Sequence, residues 1–552
     1  MNRLYRILAY GYFPKELPPI FSTRSFASTT FRLNNTDAYV GNTWQRSCPY
    51  LLQQKTHYRR KLDILCPNAF YKQADLVTSN YEELRRIFSQ STGNSSRPVF
   101  NRQATSLRAV GPCSIGRAYA YQKLELRSRF PIILKLDIKN YYRSIYTHSI
   151  PWAIHGKEYA KTHLREDNLG NRLDKAFQLG QDGQTIGIPT GPDTSFIISE
   201  VILSRVMAEM IDRSFIRGDR FVRYYDDIEY GCESEEEAYR VLALFEDILR
   251  NYELEVNPDK IKMFSGPQYM DKPWLFRIRD LSWQEGIKVE PLMEVFSFVS
   301  ELAQQYPHDH VFRYFLRKMR SSIVAEEAWD SYQRILLSAF QENRGNAKEV
   351  FDQFIYYQLI GWQINERALK ESLDRKVMQQ LTRGATSELS WAIYGYILFN
   401  LNIGRELAQR ILERGDVPSK VLVTKLIFDH NLSTKSELNT IIRSWGEDVL
   451  NSSEWLFAYE VLINAWHNRY VQIPLPANRA LYEVMIDNNV SFLDESKLAS
   501  IHLPSIFERH APRMPERPYE EGGDSSFVIS ESESTSSAQD AAVVISTDYP
   551  PT

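Results

Sequence analysis

The sequence predicts an α+β fold in which a mixed strand and helix region, about 55–284, precedes an all-helical region, about 285–512. Three observations carry that expectation. The run IILKLDI at 132–138 alternates Ile132, Leu134 and Leu136 as a strand does, although a buried helix segment can carry the same residues. DRFVRYYDDIEYGC is a strand-like run broken at its centre by acidic residues, which suits two strands meeting in a tight hairpin. After 285, amphipathic segments such as VFSFVSELAQQY, AKEVFDQFIYYQLIGW, SKVLVTKLIFDHN and SSEWLFAYEVLINAW follow one another with short polar breaks. They share no repeating signature, so an irregular array of paired helices is expected.

Taken in order, residues 1–54 form an amino-terminal segment expected to pack on the mixed region. SEEEAYRVLALFEDILRNY opens with Ser234 and Glu237 at capping-box spacing and places Val241, Leu242, Phe245, Ile248 and Leu249 on one face of a helix. From about Pro518 the chain turns Glu, Ser, Asp and Gly rich, and 513–552 is expected to be a disordered acidic tail. A chain of 552 residues exceeds one ordinary core.

Composition excludes several classes. No apolar run approaches the roughly 20 residues needed to cross a bilayer, and the start of the chain lacks a secretory pattern, so a cytoplasmic protein away from membranes is expected. The four cysteines, Cys48, Cys66, Cys113 and Cys232, match neither a zinc site nor a disulfide framework. A formal net charge of −3 means that any nucleic-acid contact must come from a local basic strip.

The acidic residues suggest chemistry. Phosphoryl transfer by two cations about 3.5–4 Å apart needs convergent carboxylates. Asp137 at the end of one strand and Asp226 and Asp227 in the hairpin supply them if the strands are neighbours. Asp137 alone reads more often as a turn or helix-cap residue. The Asp226–Asp227 pair alone also suits a solvated hairpin tip.

Five segments together resemble the reverse transcriptases, in the order that family shows. RYYDD looks like its catalytic hairpin and LKLDIKNYYRSI like the preceding metal motif, with IGIPTGPDTSFIISE (186–200) between them as its central loop and helix. RRKLDILCPNAF (59–70) is similar to its basic fingers segment and LEVNPDKIKMF (254–264) to its asparagine–lysine motif. The resemblance covers about 55–270 and implies a right-hand polymerase with fingers and palm at 55–284. It implies two Mg2+ ions, with Mn2+ as the alternative, held by Asp137, Asp226, Asp227 and the peptide of Ile138. It further implies that Arg59 and Arg60 meet the triphosphate of a dNTP and that Lys260, with Lys262 as a neighbouring substitute, serves the departing pyrophosphate. Tyr142 would block a ribose 2′-hydroxyl, and Thr190, Gly191 and Tyr225 would complete the nucleotide site. For Arg59 and Arg60 a solvated basic turn, for Lys260 a surface lysine and for Tyr142 core packing remain the alternatives.

Common members carry glutamine where Thr190 stands between Pro189 and Gly191. The pattern IPTGPDTS, with GYFPKELPPIFSTRSFA (11–27), is similar to the bacterial abortive-infection and defence-associated group, of which AbiK is a member. That resemblance implies a helical-repeat region in place of a thumb, a homo-oligomer, and antiphage DNA synthesis, in several members untemplated and started from a protein hydroxyl so that the DNA product stays attached. The alternatives are RNA-templated synthesis with an associated RNA, and an inactive palm whose helical array captures a phage protein as partner.

Overall fold

The computed structural model describes residues 2–510 apart from 34–42, 56–57, 91–92, 102–107, 115, 214–219, 270, 282–284, 343–344, 385, 468–471 and 499–503. The acidic tail expected over 513–552 therefore lies outside the described residues. The fold is α+β, with the strands confined to the first half and an all-helical region after them. Among the described residues no helix is long and apolar enough to cross a membrane.

In chain order the strands are β1 (Cys48–Lys55), β2 (Tyr58–Ile64), β3 (Pro98–Phe100), β4 (Val110–Pro112), β5 (Ile132–Leu136), β6 (Phe221–Tyr224), β7 (Asp227–Cys232) and β8 (Lys262–Ser265). β1 and β2 form one antiparallel hairpin and β3 and β4 another. The remaining four make an antiparallel sheet in the order β6-β7-β5-β8. In β5 both Ile133 and Leu134 are buried, because each face of this central strand is covered. Leu134 and Leu136 face the main core, whereas Ile133 joins Leu126, Phe130 and Val222 in a smaller cluster on the other side. The alternation seen in the sequence is real but does not separate core from solvent.

The hairpin expected at DRFVRYYDDIEYGC forms with Tyr224 opposite Asp227, so Tyr225 and Asp226 make its two-residue turn. Tyr225 adopts φ 53°, the positive value such a turn requires of its first residue. The following helix, Glu235–Asn251, is capped as its sequence predicts: the Ser234 side chain accepts from the Glu237 N–H at 3.2 Å.

After the sheet, helices Val289–Gln305, Val311–Met319, Trp329–Gln341, Ala347–Leu359, Glu366–Arg383, Ser387–Leu398, Arg405–Arg414, Val417–Asp429, Lys435–Arg443 and Trp455–Ile463 stack largely in two layers. A regular spacing runs through them that the residues do not advertise. Arg317 donates to Glu349, the Asn365 N–H to Gln333, Lys420 to Glu454 and Tyr459 to the carbonyl of Val490, always across 31–34 positions. The repeat is one of geometry, satisfied by different side chains at each step.

The array returns to the first half of the chain. Trp455 Nε1 donates to the Ile64 carbonyl at 3.1 Å, Trp391 Nε1 to the Glu16 carbonyl at 2.9 Å, and Tyr50 and Ser390 share a hydroxyl bond of 2.9 Å. One hydrophobic core consequently extends from Ile7 to Phe507. The amino-terminal residues belong to it: Tyr12 stacks on Phe70 with ring centroids 4.0 Å apart and donates to the Leu65 carbonyl.

Trp455 is fully buried at the seam between strand β2 and the array. Trp455→Ala is expected to cost about 3–5 kcal/mol of stability through the cavity it leaves. Urea unfolding checks this, and a loss near zero would mean that the seam is not part of the cooperative core.

Candidate active site

The register of the sheet places Leu136 opposite Ile228. Asp137, one residue past β5, therefore comes beside Asp227 at the start of β7 and Asp226 in the turn. Adjacency of these strands was the condition under which the three carboxylates could act together. Asp137 is 2% and Asp226 8% exposed, so neither is a solvated loop residue.

Each carboxylate has its own surroundings. Lys260 Nζ lies 3.0 Å from Asp137 Oδ2, and Asn257 Nδ2 donates to Oδ1 at 3.2 Å. Burial raises the Asp137 pKa, while Lys260 and Asn257 pull against the rise. Asp226 is pushed up to about 7, first by burial and then by the neighbouring Asp137 charge. Asp227 pairs with Lys135 at 2.9 Å. Among the described residues, no group of three or more acidic, His or Cys side chains forms a closed metal cluster; Lys260 and Lys135 are the cations that meet Asp137 and Asp227.

The donor chemistry nevertheless fits hard divalent cations. The charges of Asp137, Asp226 and Asp227 act on one another, Asp226 is held partly protonated near neutrality by burial and by its neighbour, and bound cations favour the ionised form. Ile138 is fully buried and bridged to Val256. The flanking bonds, Asn257 N–H to the Asp137 carbonyl and Lys139 N–H to the Glu255 carbonyl, leave the Ile138 carbonyl out of that pairing.

Next to Asp226 opens a cavity of about 240 Å³ whose lining includes Arg59, Arg60, Lys61, Tyr142 and Thr190. Residues from four separate segments of the chain thus face one space. Tyr142 is buried, and the Ser199 hydroxyl donates to its oxygen at 3.2 Å. Arg59 also donates to the carbonyl of Arg383, which ties strand β2 to the helical array.

Gly191 and Tyr225 are not among the residues lining this cavity. The Gly191 carbonyl accepts from Arg108 Nη2 at 2.8 Å, its φ is +127°, and a Cβ there would lie 2.9 Å from Pro14 Cγ. Its glycine is required by close packing on the amino-terminal segment. The ring of Tyr225 packs on Phe196, and its N–H donates to Ser96 Oγ at 2.8 Å.

Several residues that organise the site escaped the sequence reading. Asp63, buried in β2, accepts from the Thr190 N–H at 3.1 Å, from Arg143 at 3.3 Å and from Ser47 at 2.8 Å, and pairs with Lys61 at 3.0 Å. It joins three walls of the cavity. Arg223 and Glu200, both fully buried, form a two-pronged pair of 3.0 and 2.9 Å. Arg223 also donates to the Tyr225 carbonyl, and Asn94 and Ser96 donate to Glu200. An arginine inside an apolar strand and a glutamate inside an apolar helix were the available signals, but only a fold could pair them.

Residues 64–291 match the family described as reverse transcriptase (RNA-dependent DNA polymerase). Arg59 and Arg60 lie just before the matched residues. No curated protein matches the chain. Among solved structures, apo telomerase from Candida tropicalis is 11% identical over 79% of this chain and 75% of that one, with a TM-score of 0.31. Telomerase from Candida albicans, in complex with a TWJ fragment of telomeric RNA, is 12% identical over 77% and 70%, with a TM-score of 0.27. A Candida tropicalis telomerase truncated from its C-terminal domain is 13% identical over 42% of this chain, with a TM-score of 0.28, and this chain spans about half of its length, 52%.

Arg223→Met is expected to destabilise the protein by about 3–5 kcal/mol, because it leaves Glu200 buried without its charge partner. Chemical unfolding of the variant checks the loss. Asp226 supplies a second expectation. Its folded pKa of about 7 exceeds the ordinary 3.8, so the folded state keeps a proton that the unfolded chain releases between those values, and stability falls as pH rises through that window. Without divalent cations, Asp226→Asn should therefore melt higher than the parent at about pH 8 and converge with it near pH 4. Melting curves that differ equally at both pH values would remove the buried, raised carboxyl.

Proposed function

We propose that this chain, whose residues 64–291 match the reverse transcriptase (RNA-dependent DNA polymerase) family, adds dNTPs to a growing DNA at the Asp137–Asp226–Asp227 centre. The observation that carries this reading is the cavity whose lining brings Arg59, Arg60 and Lys61 together with Asp226, Tyr142 and Thr190. Its guanidinium and ammonium groups suit a triphosphate, and Asp226, the carboxylate of its lining, suits a metal ion. Asp137, Asp226, Asp227 and the Ile138 carbonyl would hold two Mg2+ ions, or Mn2+ in their place. When bound, such ions activate the attacking hydroxyl and stabilise the leaving pyrophosphate.

The protein's own groups do the rest. Arg59, Arg60 and Lys61 orient the triphosphate. Tyr142, held by Ser199, occupies the space a 2′-hydroxyl would need. Lys260, beside Asp137, carries the proton and charge that departing pyrophosphate requires.

Within that chemistry the chain acts in antiphage defence as an AbiK-like enzyme of the cytoplasm, synthesising DNA without a template from a protein hydroxyl. IPTGPDTS and the helical array in the place of a thumb support this. The array is bonded to the β1–β2 hairpin at Arg59, Tyr50 and Ile64, which suits an enzyme whose grip on its product does not depend on a separately moving thumb. The family's RNA-directed activity favours the second reading, templated synthesis on an associated RNA. Purified protein given each deoxynucleotide singly, with no nucleic acid added, separates them: incorporation onto the protein itself supports the first, and strict dependence on added RNA the second.

Asp137→Ala, Asp226→Ala and Asp227→Ala should each abolish incorporation, with Asp227, the most exposed of the three, the most tolerant. Radiolabelled-nucleotide assays check this, and near-normal turnover by an Asp226 variant in Mg2+ would refute the assignment. Tyr142→Ala should slow the enzyme and admit ribonucleotides. An unchanged preference for deoxynucleotides in a folded variant would return Tyr142 to core packing.

A further inference from the structure

A larger recess lies away from the carboxylates, between helices Arg3–Tyr10 and Tyr81–Phe88 and strand β3. Its volume is about 780 Å³, against about 240 Å³ beside Asp226. Four arginines, Arg3, Arg6, Arg85 and Arg97, line it, with Glu82 as the acidic residue of the lining. Arg3 and Arg85 both hold Glu82, at 2.5 and 2.8 Å, so the recess is lined by four guanidiniums and one carboxylate. In a chain of net charge −3 such a concentration of positive charge is a local feature. Arg3 lies over the Tyr81 ring at 4.6 Å, and Arg97 Nε is buried with no hydrogen-bond partner among the described residues.

The recess also adjoins the catalytic turn. Arg97 directly follows Ser96, whose hydroxyl accepts the Tyr225 N–H. Cys113, on the rim, donates to the carbonyls of Asn94 and Ser95 in the same segment.

We propose that this recess binds single-stranded nucleic acid through its phosphates. Planar guanidiniums bind phosphate oxygens in pairs and stack on bases, which suits a single strand whose bases are unpaired. Carboxylates of an acidic peptide would satisfy the same guanidiniums. Nucleic acid is favoured because the recess borders the segment that supports the polymerase turn, and the inference rests on the polymerase reading to that extent. A strand held there lies against the backbone that positions Asp226, so occupancy reaches the active site through Asn94–Ser96.

The test measures binding of fluorescein-labelled oligo(U) and oligo(dT), each of about fifteen nucleotides, to the full chain in EDTA, by anisotropy over a range of salt. Arg85→Gln with Arg97→Gln should weaken binding about ten-fold and flatten the log–log salt slope by about 1.4, at roughly 0.7 per lost phosphate contact. Val99→Arg, which adds a cation at an exposed position of the lining, should tighten binding, an effect a misfolded variant cannot mimic. Loss with both oligomers supports phosphate recognition common to RNA and DNA, and loss with one alone supports a strand of that type. Unchanged affinity and slope in the double variant overturn the proposal, as does displacement of the oligomers by poly-glutamate at equal charge, which would assign the recess to an acidic peptide. Separate incorporation assays in Mg2+ keep the two readings apart: groove-dependent binding by a protein that incorporates nothing removes the polymerase reading alone, and incorporation without groove-dependent binding removes this one alone.

Discussion

The buried pair between Glu200 and Arg223 is the constraint on which the site depends. Glu200 belongs to the helix Asp193–Arg213 and Arg223 to β6, and both are withdrawn from water. Such a pair contributes little net stability, because desolvation consumes most of its attraction. Its value is geometric. With Glu200 engaged by Arg223, Asn94 and Ser96, and Arg223 reaching the Tyr225 carbonyl, the turn that carries Asp226 has one arrangement that leaves no buried charge alone.

That rigidity allows three carboxylates to be held close together in a poorly hydrated place. Lys260 and Lys135 offset Asp137 and Asp227, while Asp226 is left to the combined effect of burial and its neighbour. A buried carboxyl raised in this way gives up its proton more readily when a cation is bound beside it. Behind the cavity lining Asp63 performs a related task, through its bonds to Thr190, Arg143 and Lys61. By holding the Thr190 backbone, Arg143 and Lys61 together it sets the distance between the basic strand and the residues around Tyr142.

The helical array is part of the same mechanical unit. Its regular 31–34-residue bonding builds a stiff stack, and that stack is fastened to the β1–β2 hairpin by Trp455, Ser390 and the Arg383 carbonyl. The basic residues lining the cavity beside Asp226 thereby take their position from residues more than three hundred positions away in the chain.

How much of this was legible depended on the range of the interaction. The sequence alone determined what local physics controls: the capped helix after Ser234, the tight hairpin around RYYDD, the strand before Asp137, the change to helices after the sheet, and through ordered motifs a likeness to the reverse transcriptases that the match over residues 64–291 bears out. Each signal lies within a few residues, where hydrogen-bond geometry and side-chain period act directly. Tertiary structure decided the rest. It placed Asp137 beside the hairpin, paired Glu200 with Arg223, and turned Gly191 toward Pro14 and away from the cavity lining. It also revealed a repeat that no residue pattern marks and buried both faces of β5, blurring the alternation by which a strand is recognised. The physical reason is common to all of these. A charge, a glycine or a repeat position is selected for its partner across space, and the chain records only one side of that contact.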